Sequence, residues 1–339
     1  MTSRLCVLAA VIAGVSFAAA NDQHQITSIF QPLGTPARDI YHIANFTFII
    51  CAAIFVIVAS LLTYTLIRFR CRPNDTEEEP PQIYGSNQIE TAWTVIPILI
   101  VFVLLGVTAR IVAEVQEKPA PKTALKATVI GHQWWWEFNY PGLGITTANE
   151  LNIPAVDRAR SNPTFLDLES ADVAHSFWIP QLAGKTDVIP SRRNEMWLDP
   201  STPGTYVGNC TEYCGTQHAN MMLRVVVLSK DDFSKWVSAQ QQPAAAEPQA
   251  EEARNAFLSL SCVNCHTVRG TSAKGKSGPD LTHLMSRQTI ASGILPNNRQ
   301  QLREWIKDPQ QLKPGNLMPN MQLTGKQIDQ VVSYLLTLK

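Results

Sequence analysis

The sequence predicts a multi-domain membrane protein built from a two-helix transmembrane hairpin, an all-β sandwich and an all-α C-terminal domain. Three observations predict it. Two apolar runs, about 44–67 and 92–113, are each long enough to cross the ~30 Å hydrocarbon core of a bilayer. Between about 123 and 237 the chain shows short β-rich runs cut by Gly and Pro. Beyond a stretch rich in Ala, Gln, Pro and Glu, apolar residues recur at helical spacing. The 339 residues suffice for several cores, and a formal net charge of zero points to no nucleic-acid partner.

Residues 1–20, with Arg4, a short apolar run and Ala18-x-Ala20, read as a secretory signal peptide. The hairpin occupies 25–115. Arg68, Arg70 and Arg72 directly follow the first span and put the connection in the cytoplasm; Glu77, Glu78 and Glu79 weigh little in orientation. The second span returns the chain outward, so everything after about Glu114 is extracytoplasmic. The expected location is the bacterial inner (cell) membrane, as a multi-pass protein with its later domains on the periplasmic or extracellular side. Cys6, Cys51 and Cys71 fall in the signal, a span and the cytoplasm, leaving Cys210, Cys214, Cys262 and Cys265 outside as two close pairs.

The sandwich spans 123–237, and Pro141-Gly142, Pro154, Pro180, Pro190 and Pro203-Gly204 read as turns between strands. A small antiparallel sandwich is expected, with His, Cys and Met on loops at one end. The stretch 238–253, "SAQQQPAAAEPQAEEA", lacks apolar periodicity and reads as a linker. A helical domain fills 254–339, where Thr324 and Gln327 form a capping-box signature at the last helix.

Each cysteine pair has its own motif. "CVNCH", Cys262 to His266, is a c-type haem attachment pattern: two thiols for the haem vinyl groups and an adjacent axial histidine. Taken alone, Cys-x-x-Cys also fits a redox disulfide or half a zinc site. Met318 in "PGNLMPNM" is the second axial ligand expected, with Met321 its rival. "SGPDL", Ser277 to Leu281, makes the segment resemble class I cytochromes c. That resemblance assigns Pro279 the carbonyl that orients the histidine's other ring nitrogen.

"CTEYCGTQHANM", Cys210 to Met221, spaces two thiols, an imidazole and a thioether four, four and three residues apart. A disulfide and a zinc site are alternatives, and a one-copper blue site needs only one cysteine. Two thiolates on one loop can bridge a copper pair, with His218 and an upstream histidine, for which His175 in "SADVAHSFWIP" is the candidate, each terminating one ion. Met221 is then a weak axial donor. His24, His42, His132 and His283 show no ligand pattern.

"HSFWIP", "KTDVIPSR", "GNCTEYCGTQHANM" and "GHQWWWEF" resemble subunit II of haem–copper cytochrome c oxidases over roughly 25–237, and the attached haem domain resembles the fused caa-type form. The resemblance implies a cupredoxin-like sandwich holding a dinuclear copper centre, CuA, on His175, Cys210, the Glu212 carbonyl, Cys214, His218 and Met221, with Met222 a close rival. It also implies a magnesium ion on the Glu212 side chain and electrons entering at Trp134. Periodicity in a strand would put Trp134 and Trp136 on one face and Trp135 on the other.

By that resemblance the chain is an electron-transfer subunit of a proton-translocating oxidase. It passes electrons from haem to copper to subunit I, where dioxygen becomes water. Subunit I and subunit III are the expected companions, and a cytochrome c or cytochrome bc complex the donor. The alternatives are the electron-receiving subunit of a copper-dependent nitric oxide reductase and a membrane-anchored copper assembly factor. A flexible linker would tether the haem domain at high effective concentration, so that cutting it slows copper reduction.

Overall fold

The computed structural model describes residues 28–70, 82, 84–116, 121, 124–157, 162–245 and 247–339. The signal segment 1–20, Cys71, Arg72, Glu77 to Glu79 and His24 lie outside the described residues. Two helices among those described are long and apolar enough to cross a membrane, α1 (Thr35–Arg68) and α2 (Asn87–Gln116). The multi-pass expectation is thereby narrowed to two spans.

Helix α1 begins before the apolar run because its first turn has a separate task. Pro36 and Ala37 are buried, and the Thr35 backbone N–H donates to Asp199 Oδ1 at 2.7 Å. At the far end of α2, Trp197 Nε1 donates to the Val115 carbonyl at 2.7 Å. The two outer helix ends are thus fastened to the sandwich, as a hairpin returning to one side requires. Between them, large side chains such as Phe55, Leu61, Phe102 and Leu105 face outward, the arrangement a lipid solvent favours.

Among the described residues the sandwich has ten strands: β1 (Lys126–His132), β2 (Trp135–Tyr140), β3 (Ile145–Ala148), β4 (Glu150–Pro154), β5 (Thr164–Ser170), β6 (His175–Trp178), β7 (Thr186–Val188), β8 (Asn194–Leu198), β9 (Gly204–Cys210) and β10 (Met222–Leu228). They form two five-stranded sheets, ordered β3-β2-β1-β5-β8 and β4-β10-β9-β6-β7. In β1 the alternating residues Ala127, Val129 and Gly131 are buried. They meet Trp136, Phe138, Leu166 and Phe177 between the sheets.

The sandwich is mixed, which corrects the antiparallel expectation. β1 pairs with β5 in parallel, and so does β4 with β10. The cause is a change of sheet between β3 and β4 at Asn149, whose φ of 61° is tolerated by Asn and whose Oδ1 accepts from the Trp136 N–H. Neighbours reached by such a crossover are not hairpin partners and can run parallel.

Helix α3 (Lys230–Gln240) runs into the stretch expected as linker, and α4 (Glu251–Ser259) begins inside it. Ser229 caps α3 by accepting from the Asp232 N–H, which explains why a polar segment starts a helix here. The remaining helices are α5 (Cys262–Cys265), α6 (Arg299–Lys307), α7 (Pro309–Leu312) and α8 (Gly325–Leu335), with a small hairpin of β11 (Thr289–Ile290) and β12 (Leu295–Pro296). Thr324 and Gln327 complete a reciprocal capping box on α8, whose Ile328, Val331 and Leu335 pack with Phe257 of α4. The C-terminal domain lies directly against the sandwich: the Met222 N–H donates to Ser292 O at 3.1 Å, and buried Glu150 accepts from the Gln288 and Thr289 N–H groups at 2.8 and 2.9 Å.

Candidate metal and haem centres

Register creates the first site. β6 and β9 are antiparallel with Phe177 opposite Cys210, which brings His175, at the start of β6, beside the end of β9. The loop after Cys210 folds back through a turn of 3-10 helix at His218–Asn220, and its two ends close through the Cys210 N–H donating to Met221 O at 3.0 Å. Six donors converge as a result. Cys210 Sγ is 3.8 Å from Cys214 Sγ, 3.9 Å from His175 Nδ1 and 3.2 Å from Glu212 O. Cys214 Sγ is 3.6 Å from His218 Nδ1 and 3.8 Å from Met221 Sδ.

Both thiols are free, and His175, Cys210 and Cys214 are 0%, 5% and 3% exposed. Two soft sulfurs, two imidazoles, a thioether and a carbonyl form a donor set suited to copper. The Cys214 thiol beside it draws Cys210 far below the ordinary thiol range, against burial and with help from His175, while the proximity of Cys210 and burial raise Cys214. One thiolate thus forms readily, and a bound cation would favour the second.

Asp172 is a functional residue that sequence reasoning missed. Its Oδ1 lies 2.8 Å from His175 Nε2, and its carboxylate also accepts from the Val173 and Gln133 N–H groups. Holding the proton on Nε2 leaves Nδ1 to face Cys210. Burial disfavours the His175 cation, but Asp172 and Cys210 outweigh it and raise the pKa. The available signal was an acid three residues before the histidine in "SADVAH".

Trp134 does not share a strand face with Trp136. It sits in the two-residue turn joining β1 to β2, while Trp135 stacks on His132 at 4.2 Å and Trp136 is fully buried against Phe177. The turn aims the Trp134 indole along the site: its Nε1 donates to the Cys214 carbonyl at 3.0 Å, as Gln133 Nε2 does at 2.7 Å. Met222, the rival to Met221, has its backbone engaged by Ser292. The Glu212 side chain is exposed, and Tyr213 beside it is 76% exposed.

In the C-terminal domain, α5 puts the free thiols of Cys262 and Cys265 on a single helical turn, with His266 at its end. His266 Nδ1 is 2.8 Å from Pro279 O, which places the ring proton there and leaves Nε2 able to ligate. Burial lowers the His266 pKa, favouring the neutral ring a metal needs. Met318 is held on both sides, its N–H donating to Asn316 Oδ1 at 2.8 Å and its carbonyl accepting from Gln310 Nε2 at 2.7 Å. These residues fit a covalently attached haem. His283 instead bridges Lys339 O and Gln242 O, a structural role.

Comparison with known proteins agrees part by part. Family models for the transmembrane and periplasmic domains of cytochrome c oxidase subunit II match residues 22–109 and 158–229, and the cytochrome c model matches 250–339. Cytochrome c oxidase subunit 2 of Alkalihalophilus pseudofirmus is 34% identical over 315 residues, covering 91% of this chain and 90% of that protein. Its counterpart from a Bacillus species is 35% identical, covering 80% of each. The crystal structure of the periplasmic domain of cytochrome oxidase subunit II of Bradyrhizobium japonicum is 28% identical and covers 36% of this chain and 97% of that one, with a TM-score of 0.33. The chain belongs to the cytochrome c oxidase subunit II family, in the form that carries a C-terminal cytochrome c domain.

Proposed function

We propose that this electron-transfer subunit carries electrons from a covalent haem c on Cys262, Cys265, His266 and Met318 to a dinuclear copper centre on His175, Cys210, Glu212 O, Cys214, His218 and Met221, and on to subunit I. The observation that supports this most is the convergence of six copper-type donors through contacts of 3.2–3.9 Å around buried His175, Cys210, Cys214 and Met221. When bound, copper and haem each supply reversible one-electron chemistry.

The chain's residues do the rest. Asp172 fixes the His175 tautomer, and Pro279 does the same for His266. Burial of Cys210 and Cys214 keeps water off both sulfurs. Trp134, hydrogen-bonded to the Cys214 carbonyl, lies between the site and the C-terminal domain and gives electrons their way in. The exposed Glu212 carboxylate is left free for a magnesium ion at the boundary with subunit I.

In this reading the chain resides in the bacterial inner membrane with subunits I and III, its metal domains on the periplasmic face and a cytochrome c or cytochrome bc complex as donor. Dioxygen is reduced to water on subunit I, coupled to proton translocation. Copper titration of the reduced apoprotein, with haem quantified in parallel, tests the cofactor assignment. Saturation at two coppers with one haem per chain is expected; saturation at one copper, or preferential retention of zinc, refutes it.

A further inference from the structure

A lysine is buried where the two extracytoplasmic domains meet. Lys313 is 3% exposed, and its Nζ donates to three carbonyls: Trp134 O and Asn220 O at 2.8 Å, and Ala291 O at 3.3 Å. The first lies in the β1–β2 turn, the second in the loop of copper-type donors, and the third in the C-terminal domain itself. A buried amine is costly unless its donors are satisfied, and here each has an acceptor.

The surrounding contacts repeat the pattern. Gln217, 5% exposed in the donor loop, donates through Nε2 to Pro314 O at 2.6 Å. Buried Arg224 of β10 donates to Thr289 Oγ1 at 2.9 Å, beside the Glu150 contacts. Lys313 and Pro314 begin the same loop that carries Met318. The covered face includes the backbone of Trp134, the residue through which the sandwich would receive electrons.

We propose that Lys313 is a positioning residue that latches the C-terminal domain onto the sandwich, with the Met318 loop set against the Trp134 turn and the 215–221 loop. The chain's own cytochrome domain thereby occupies the face that a separate cytochrome would otherwise use. Buried polar contacts dock the domain, alongside those that residues 240–244 make with Arg269, His283 and Ser286.

The test uses the full chain in detergent with a protease site inserted after Ala245. After cleavage, the wild-type halves should comigrate on size exclusion, with little salt dependence because the contacts are buried. In Lys313→Met their association should weaken about a hundredfold, from the loss of three buried hydrogen bonds. The absorbance of the methionine-ligated haem should be unchanged. Lys313→Gln, which keeps a donor, should recover part of the loss.

Separation of the wild-type halves, or wild-type-like association in Lys313→Met, overturns the latch. If Lys313→Met also loses the haem absorbance, Gln217→Leu decides: it removes a donor from the sandwich side, and unchanged association there overturns the proposal. The latch builds on the copper and haem assignments only for its consequence. Enhanced relaxation of the copper EPR signal by ferric haem should be present in the wild type and reduced in Lys313→Met. Halves that stay together without any such coupling would uphold the latch and refute the cofactor reading.

Discussion

Asp172→Ala isolates what orients His175. The wild-type carboxylate accepts from His175 Nε2 at 2.8 Å, from Val173 N at 2.6 Å and from Gln133 N at 2.6 Å. Alanine removes both acceptor oxygens and with them all three bonds. His175 then loses the contact that fixes its proton on Nε2, and the ring must be reoriented at the expense of copper binding. Removal of such an outer partner lowers metal affinity by about 10- to 100-fold, or about 1.4–2.7 kcal/mol.

Asp172→Asn separates orientation from charge. An amide oxygen at the Oδ1 position still accepts from His175 and Val173, while the NH2 group faces Gln133 N–H and loses that bond. Its cost should therefore be smaller than alanine's. The assay is copper titration of the apoprotein against a competing chelator. Copper affinity within about twofold of wild type for Asp172→Ala would refute the orienting role and leave Asp172 as a loop cap.

Further expectations concern the same centres. Cys214→Ser should remove one of the two shared sulfurs and abolish any delocalised two-copper EPR signal; its persistence would contradict the ligand assignment. Met318→Ala should lower the haem potential, as loss of a thioether ligand does, and open a position for carbon monoxide; an unaltered haem spectrum would move the assignment to Met321. Gly131→Ala would put a Cβ 2.8 Å from His175 Cδ2, so it should cost about 1–3 kcal/mol in urea unfolding and weaken copper binding; wild-type stability would refute the close fit. Because the His175 pKa is raised, copper must displace a proton held above the usual histidine range. Apparent affinity should rise with pH through neutrality, and a flat profile in competition titrations would contradict this.

The parts legible in the sequence are those written in composition and side-chain chemistry. The apolar runs marked both spans, and the Cys, His and Met spacings pointed to side chains that lie together at the loop 210–221, whereas the Glu212 carbonyl came only from the family resemblance. What could not be read depends on distant backbone. Parallel pairing of β1 with β5 follows from a sheet change at Asn149, a residue with no hydrophobic pattern. Trp134 reads as strand, yet the β1–β2 register leaves it in the turn, where its indole reaches Cys214 O.

Domain docking was the least legible feature. The linker composition suggested a free tether, but α3 extends to Gln240, and Gln242 and Ala244 are bonded to His283 and Arg269 of the C-terminal domain. Lys313 sits in "QLKPGN", which reads as an ordinary exposed loop, and its acceptors are carbonyls that carry no residue-type signal. The tether expectation is revised accordingly: cutting the linker should leave the two domains together.

Low-temperature EPR of the full chain, with copper and haem quantified on the same sample, tests the central claim most directly. Two coppers and one haem, with a seven-line hyperfine pattern from one electron shared between two copper nuclei, is the expected result. A four-line signal from a single copper, or a site filled by zinc, would contradict the account.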